Sequence, residues 1–370
     1  DTGYSNSRFQ QFIWNKISKK EYKSGFKPII FYNYNDKLYL GAAYEFVKHN
    51  EGKMPYASLH GVYAHYSIPQ NAFSFGYYGT IKQAVGNWDL LLNADYDVIR
   101  WNNFFGIGNE TTDDPGKQLT YYRVRSHEGY AAVSLSRDLG SSNIRFTPFF
   151  SATQIINDEG RFLSDYTKSL ITARTINSPI ENSYDWDTYA GIGVNYSLLQ
   201  VDDEIVPRKG LALGTGAAYT KSLEAKRSFN TFNGQLNFYI PFTHQLIFAS
   251  RNGGEVITGE PKFYQLTSIG GSPNVRGYYR DRYQGTSSAY TSNELQWLFN
   301  VRSKIYNGTI APFAFYDIGR VWDRGEDSQL WYSGYGAGLI IAPFNKVSIV
   351  ASYGISKDHQ VAHLGLRKAL

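Results

Sequence analysis

An all-β fold, a sixteen-stranded antiparallel transmembrane β-barrel, is predicted by three features of the sequence. Apolar and polar residues alternate with period two in run after run, as in strands that show one face to lipid and the other to water. The 370 residues include 31 Tyr, 23 Phe, 7 Trp and 35 Gly against a single Met, a load better suited to a barrel wall than to the core of an aqueous domain. No apolar stretch approaches the ~18–20 residues of a membrane-crossing helix, so a helical membrane protein is excluded.

The strands follow in order along the chain. Leu90, Leu92, Ala94, Tyr96 and Val98 share one face of a run whose other face carries Asp89, Asn93, Asp95 and Asp97. Phe232, Leu236, Phe238 and Ile240 alternate with Asn233, Gln235, Asn237 and Tyr239, and Val347, Ile349, Ala351, Tyr353 and Ile355 with Ser348, Val350, Ser352, Gly354 and Ser356. The same reading places strands at 26–34, 37–48, 55–67, 72–82, 88–99, 119–137, 143–156 and 185–199. Eight more follow at 209–222, 229–241, 244–253, 286–299, 309–322, 331–342, 346–356 and 360–370. Sixteen is an even number, as a single-chain barrel needs to close without an open edge.

The connections support that count. Asp138–Ser142, Pro241–Thr243 and Pro343–Asn345 read as tight turns, whereas Ile99–Gln118, Asn157–Tyr184 and Gly254–Gly285 are long. With the first strand rising from the periplasmic side, all three long connections fall on the outer face, where barrel loops are long. Residues 1–25 precede the barrel, which occupies 26–370. Phe9, Phe12, Ile13 and Ile17 have helical spacing with Arg8, Lys16, Lys19 and Lys20 elsewhere, so this segment is expected to be a linker or an amphipathic helix at the membrane surface. The start at Asp1, with neither Met nor signal peptide, reads as a mature or trimmed product.

Composition excludes several chemistries. There is no cysteine, hence no disulfide framework and no thiolate metal site. The net charge of +5 is spread along the chain without the basic stripe that nucleic acid would need, so no nucleic-acid partner is expected. His60 and His65 point to opposite faces of one strand, and no histidine pair among these two and His49, His127, His244, His359 and His363 has metal-ligand spacing with a nearby carboxylate. Neither a nucleophile elbow nor a phosphate loop is present. No enzyme activity, cofactor or metal is therefore expected of these residues. The tryptophans, Trp14, Trp88, Trp101, Trp186, Trp297, Trp322 and Trp331, fall mostly near strand ends, where aromatic girdles sit. Gly334, Gly336 and Gly338 alternate along one strand and leave room for a close approach from the lumen.

One loop carries a sharp motif: Gly270-Gly271-Ser272-Pro273-Asn274-Val275-Arg276-Gly277-Tyr278, between the eleventh and twelfth strands. Glu294 shares a face with Ser292 and Gln296, opposite Leu295, Trp297 and Phe299, and so points into the lumen. Asp317 shares its face with Gly319 and is expected to point inward too, although Phe313 and Phe315 lie on that face. An arginine on a loop that folds back could pair with Glu294 and Asp317 through charge-assisted, partly bidentate hydrogen bonds.

This segment resembles the barrel domain of the BamA/TamA/FhaC superfamily, the bacterial surface antigen type. In that family a Val-Arg-Gly-Phe/Tyr tip of loop six enters the lumen and its arginine binds acids on strands twelve and thirteen. The resemblance implies that Val275, Arg276, Gly277 and Tyr278 form the tip, with Asp317 and Glu294 as the partners of Arg276. Phe104-Phe105-Gly106-Ile107-Gly108-Asn109-Glu110-Thr111 is similar to the Phe-Gly-x-Gly-Asn loop of the branch whose barrels follow a periplasmic enzyme domain. Pro207-Arg208-Lys209-Gly210 is similar to the Pro-x-x-Gly before strand nine. In the last strand, His363 and Gly365 fit the outer-membrane sorting signal, whereas Lys368 stands in place of an aromatic and Leu370 in place of Phe.

The implied location is the bacterial outer membrane, among lipid and lipopolysaccharide. The implied function is insertion or translocation of polypeptide or lipid, with periplasmic or lipoprotein partners and a seam between first and last strands. Such members carry periplasmic POTRA domains, which residues 1–25 are too few to form. A second expectation is therefore the anchor or export barrel of a larger protein with an N-terminal phosphoesterase or patatin-like domain. A passive pore is the third.

Overall fold

The computed structural model describes residues 22–33, 37–50, 52–68, 71–172, 180, 184–303 and 306–367. The expected helix or linker before residue 22 and the last three residues, with Lys368 and Leu370, lie outside the described residues.

Among these residues sixteen long strands follow one another around a single antiparallel sheet. They are β1 (Gly25–Asn33), β2 (Lys37–Asn50), β3 (Lys53–Ser67), β4 (Ala72–Val85), β5 (Trp88–Asn103), β6 (Arg123–Leu139), β7 (Ser142–Ile155) and β8 (Trp186–Val201). The second half comprises β9 (Gly210–Ser222), β10 (Ser228–Pro241), β11 (Leu246–Gly259), β12 (Ser287–Trp297, resuming at Phe299–Arg302), β13 (Asn307–Trp322), β14 (Tyr332–Pro343), β15 (Ser348–Ser356) and β16 (Gln360–Arg367). Each pairs with its sequence neighbour, from β1 with β2 to β15 with β16. No ladder among the described residues joins β16 to β1. The strand order and the alternation of short and long connections agree with the sequence reading.

Local chemistry accounts for the turns and breaks. Gly140, at φ +69°, supplies the left-handed residue that closes the β6–β7 hairpin. Pro312 stands across from Trp297, between the pairs Gln296–Phe313 and Phe299–Ile310, and brings no N–H, so the ladder lapses at Leu298.

Two expectations need correction, and one long connection gains structure. The eleventh strand continues through Gly254 to Gly259 because Gly254 and Glu255 still pair with Ala289 and Ser288, so loop six is shorter than Gly254–Gly285. The fifth strand reaches Asn103, and Leu119–Tyr122 is a 3-10 turn rather than the start of β6. The long connection Asn157–Tyr184, loop four, is partly helical. It carries a helix, α1 (Phe162–Thr172), whose Leu163 packs with Phe104, Val124, Ile155, Ile180 and Phe263 beneath the outer loops.

The lumen is filled unevenly. On the β10–β14 side Tyr239, Ile247, Ala249, Leu298, Ala311, Phe313, Phe315, Ile340 and Ala342 form an apolar core. The β8–β9 turn pushes Ile205 and Val206 into it, with both of their N–H groups donating to the Asp203 carboxylate at 2.7 and 2.9 Å. The β1–β6 side is mixed: Ile29, Tyr39, Ala43, Leu59 and Tyr63 form a second cluster beside ion pairs, with Lys27 against Glu45 at 3.5 Å and Arg100 against Glu128 at 2.9 Å.

Candidate functional site: the loop-six tip in the lumen

Loop six leaves β11, makes a two-strand ribbon (Thr267–Ile269 with Tyr283–Gly285), and sends its tip down between β12 and β15. Asn274 fixes the tip. Its Oδ1 accepts from the N–H groups of Gly270 and Val275 at 2.7 and 2.8 Å, and its Nδ2 donates to the Ser268 carbonyl at 3.1 Å. Gly277, at φ +91°, turns the backbone where a Cβ would meet the Ile355 carbonyl carbon at 2.8 Å.

Arg276 is 5% exposed. Its Nε and Nη2 donate to Oδ2 and Oδ1 of Asp317, both at 2.7 Å, and its backbone N–H donates to Oδ2 at 2.9 Å. Nη1 donates to Glu294 Oε1 at 2.7 Å and Nη2 to Ser292 Oγ at 3.0 Å. Glu294 is held in turn by Gln296 Nε2, which donates to Oε2 at 2.7 Å. The guanidinium carbon lies 3.6 Å from the Phe315 ring centre, so Phe313 and Phe315 form the apolar floor under the charge rather than conflict with it. Every nitrogen of the fork has an anionic or hydroxyl partner, which is what makes burial of a charge tolerable.

The neighbouring strands are cut back to admit the tip. A Cβ on Gly319 would meet Val275 Cγ2 at 2.8 Å, one on Gly334 would strike the Arg276 carbonyl, and one on Gly354 the Gly277 nitrogen. Gly336 and Gly338 have a different job from the one expected: the space above them is taken by the Phe315 and Phe313 rings, not by loop six. Ser356 Oγ donates to the Gly277 carbonyl at 2.8 Å, and the Gly277 N–H points to His363 Nε2 at 3.4 Å. Val275 and Tyr278 are buried, and Tyr278 packs edge-on against Tyr283 and Tyr332, which stack at 3.8 Å.

Residues not singled out as partners from the sequence tie the outer loops together above the tip. Glu326 of the β13–β14 loop accepts the N–H groups of Asn109 and Glu110 at 2.7–3.0 Å, over Gly108, which has no Cβ to obstruct it. The buried Asn109 side chain donates to Ser328 Oγ at 2.8 Å and the Leu330 carbonyl at 2.9 Å, and accepts from Val321 N–H at 3.1 Å. Arg282, 1% exposed, donates to Thr111 Oγ1 at 3.1 Å, the Thr111 carbonyl at 2.9 Å and Asp113 at 3.0 Å. His359, in the β15–β16 loop, has Nε2 2.9 Å from the other Asp113 oxygen. Burial holds the His359 pKa below its ordinary value, with Asp113 only partly offsetting it. The loop-three Gly-Asn signal was legible in sequence, but its partners across more than 200 residues were not.

The described residues thus form a sixteen-strand β-barrel wall whose sixth outer loop is pinned in the lumen by a buried arginine. Residues 180–341 match the family described as haemolysin secretion/activation protein ShlB/FhaC/HecB. The fold is similar to that of BamA from Haemophilus ducreyi lacking POTRA domains 1–3, at 14% identity and TM-score 0.66, covering 95% of this chain and 69% of that one. It is similar to CdiB from Escherichia coli, at 17% identity and TM-score 0.57, covering 94% of this chain and 63% of that one. CdiB from Acinetobacter baumannii matches at 11% identity and TM-score 0.52, covering 93% and 65%. The chain thus spans about two thirds of each of these proteins. No curated protein matches by sequence. The chain thus shares the β-barrel fold of these solved structures, and its residues 180–341 match the ShlB/FhaC/HecB family model.

Proposed function

We propose that this barrel sits in the bacterial outer membrane and inserts or translocates polypeptide there. The observation that carries the reading is the loop-six anchor, in which Arg276 is bound to Asp317 on β13 and Glu294 on β12 inside the lumen. A pore built for diffusion gains nothing from a charged loop held across its channel by desolvated hydrogen bonds. A barrel that must stay sealed until a substrate arrives does. The apolar core on the β10–β14 side adds to the seal.

The route opens at the seam. Every other strand edge is satisfied by a ladder, whereas β1 and β16 share none among the described residues, and Pro28 in β1 removes one donor. Polypeptide is the cargo that can use such an edge, because an extended segment pairs with it through its own backbone. The barrel's part is positioning and passage, with the chemistry of substrate capture left to partners in the periplasm.

The test is a disulfide lock. The chain has no cysteine of its own, so one cysteine placed in β1 and one in β16 form a unique pair. The lock is expected to stop insertion or secretion, and reduction to restore it. Full activity in the locked, verified cross-linked protein would exclude passage through the seam.

A further inference from the structure

The outward face of β11 and β12 breaks the pattern of the rest of the wall. At mid-height most outward positions elsewhere are apolar, as with Ala190, Ile192 and Val194 on β8 or Leu339 and Ile341 on β14, and polar ones such as Thr215 on β9 and His60 on β3 stand singly rather than in a block. On β11 and β12 they are Ser250 and Asn252 facing Asn293 and Thr291. Ser250 Oγ donates to Asn293 Oδ1 at 2.8 Å, Asn252 Nδ2 to Ser250 Oγ at 3.0 Å, and Asn293 Nδ2 to Thr291 Oγ1 at 3.1 Å. The block lies along β12 between Ser287, which pairs with Trp322, and Trp297. It is therefore between the two aromatic levels, in the hydrocarbon rather than at an interface.

Two properties show that its own strands do not finish the block. The internal chain of hydrogen bonds leaves the Asn252 carbonyl oxygen and the Thr291 hydroxyl proton unused. The surface is also a trough. Ser250 is 4% exposed although it faces outward, Gly254 and Ala289 continue the floor, and Tyr316, 52% exposed, stands up beside it on β13.

We infer that this trough is a contact between two copies of the barrel in the plane of the membrane. Acyl chains offer no hydrogen-bond partner, and lipid headgroups do not reach this depth. The occupant is therefore protein, with carboxamides or hydroxyls of its own. A second copy matches on both counts. Asparagine and threonine side chains each donate and accept, so a two-fold axis brings every unused group opposite its complement. The Tyr316 ridge of one copy then enters the trough of the other, and the reverse, which is the self-complementary relation of an isologous interface. The inference rests on the barrel's outward face lying in lipid, and it is independent of what the barrel transports.

The experiment is subunit counting by single-molecule photobleaching of the labelled full protein in supported bilayers, at falling protein-to-lipid ratio. It is paired with disulfide cross-linking of Leu295→Cys, beside the trough, and Val194→Cys, on another wall, in native outer membranes. The expected result is a two-copy species that falls at least tenfold in the Asn252→Leu/Asn293→Leu variant, with cross-linked homodimer from Leu295→Cys and not from Val194→Cys. Heat-modifiable migration on gels confirms that each variant is folded and inserted, which separates failure of the dimer from failure of the barrel. Single-step bleaching of the wild type, dimers that survive the double leucine variant, or cross-links from Leu295→Cys to a different protein would each overturn it.

Discussion

Arg276 and Asp317 meet through two side-chain hydrogen bonds of 2.7 Å and a third from the arginine's own backbone, in a site where Asp317 has no solvent exposure. The side chain and the chain direction of the loop are thus fixed by one carboxylate. The pair is not simply a source of stability, since replacing both partners by apolar groups can be neutral. Breaking it by removing one partner strands a buried charge and costs about 3–5 kcal/mol.

Arg276→Ala is therefore expected to lower the unfolding midpoint of the barrel and expose loop six to protease. Arg276→Lys rescues only in part, because an ammonium cannot span both Asp317 oxygens and reach Glu294. Heat-modifiability on gels and loop-six cleavage rates check both. Wild-type behaviour of the alanine variant in both assays would remove the anchor from the account.

Gly334→Ala and Gly354→Ala place methyl groups against the Arg276 carbonyl and the Gly277 nitrogen. Each is expected to expel the tip and reproduce the protease sensitivity of Arg276→Ala without touching a charge. Gly234→Ala is the control, since nothing lies within 4 Å of a Cβ there. Equal effects at all three positions would point to strand propensity instead of steric room.

Asn109→Ala removes a buried carboxamide that serves Ser328, Leu330 and Val321. Buried partners left unsatisfied cost about 1–3 kcal/mol each. The expected outcome is faster hydrogen exchange in both loop three and the β13–β14 loop, with Glu326→Gln giving a milder version. Unchanged exchange across 323–331 would show that the two loops are held by other contacts.

The outer loops are expected to loosen in acid. His359 has its pKa lowered in the folded protein, so the unfolded or opened state binds the proton more readily. The stability it permits is complete above the ordinary histidine value of 6.5 and is lost as pH falls below it. Protease sensitivity of the β15–β16 loop should rise between about pH 7 and 5, and His359→Gln should flatten that slope. An identical pH profile in His359→Gln would assign the acid response to another group.

Strand number, strand order and the inward aim of Glu294 were legible because a period of two encodes which face each residue takes, and a barrel wall depends on little else. The same logic failed at the ends of β11 and β6, where Gly254–Gly259 and Leu119–Tyr122 lack apolar alternation and only the partner strand decides. Helix α1 was missed because its stability comes from burying Leu163 against residues of loops three and six, not from a local signal.

By itself, then, the sequence determined the wall. Side-chain alternation is a local property, and turn residues sit beside the strands they join. Only the tertiary structure decided how the lumen is closed. It brought Arg276 onto Phe315 and Asp317, set Glu326 under Asn109, and tied Arg282 and His359 to one aspartate. Those contacts join residues tens to hundreds of positions apart, and their energy comes from desolvation and geometry that exist only once the barrel has formed.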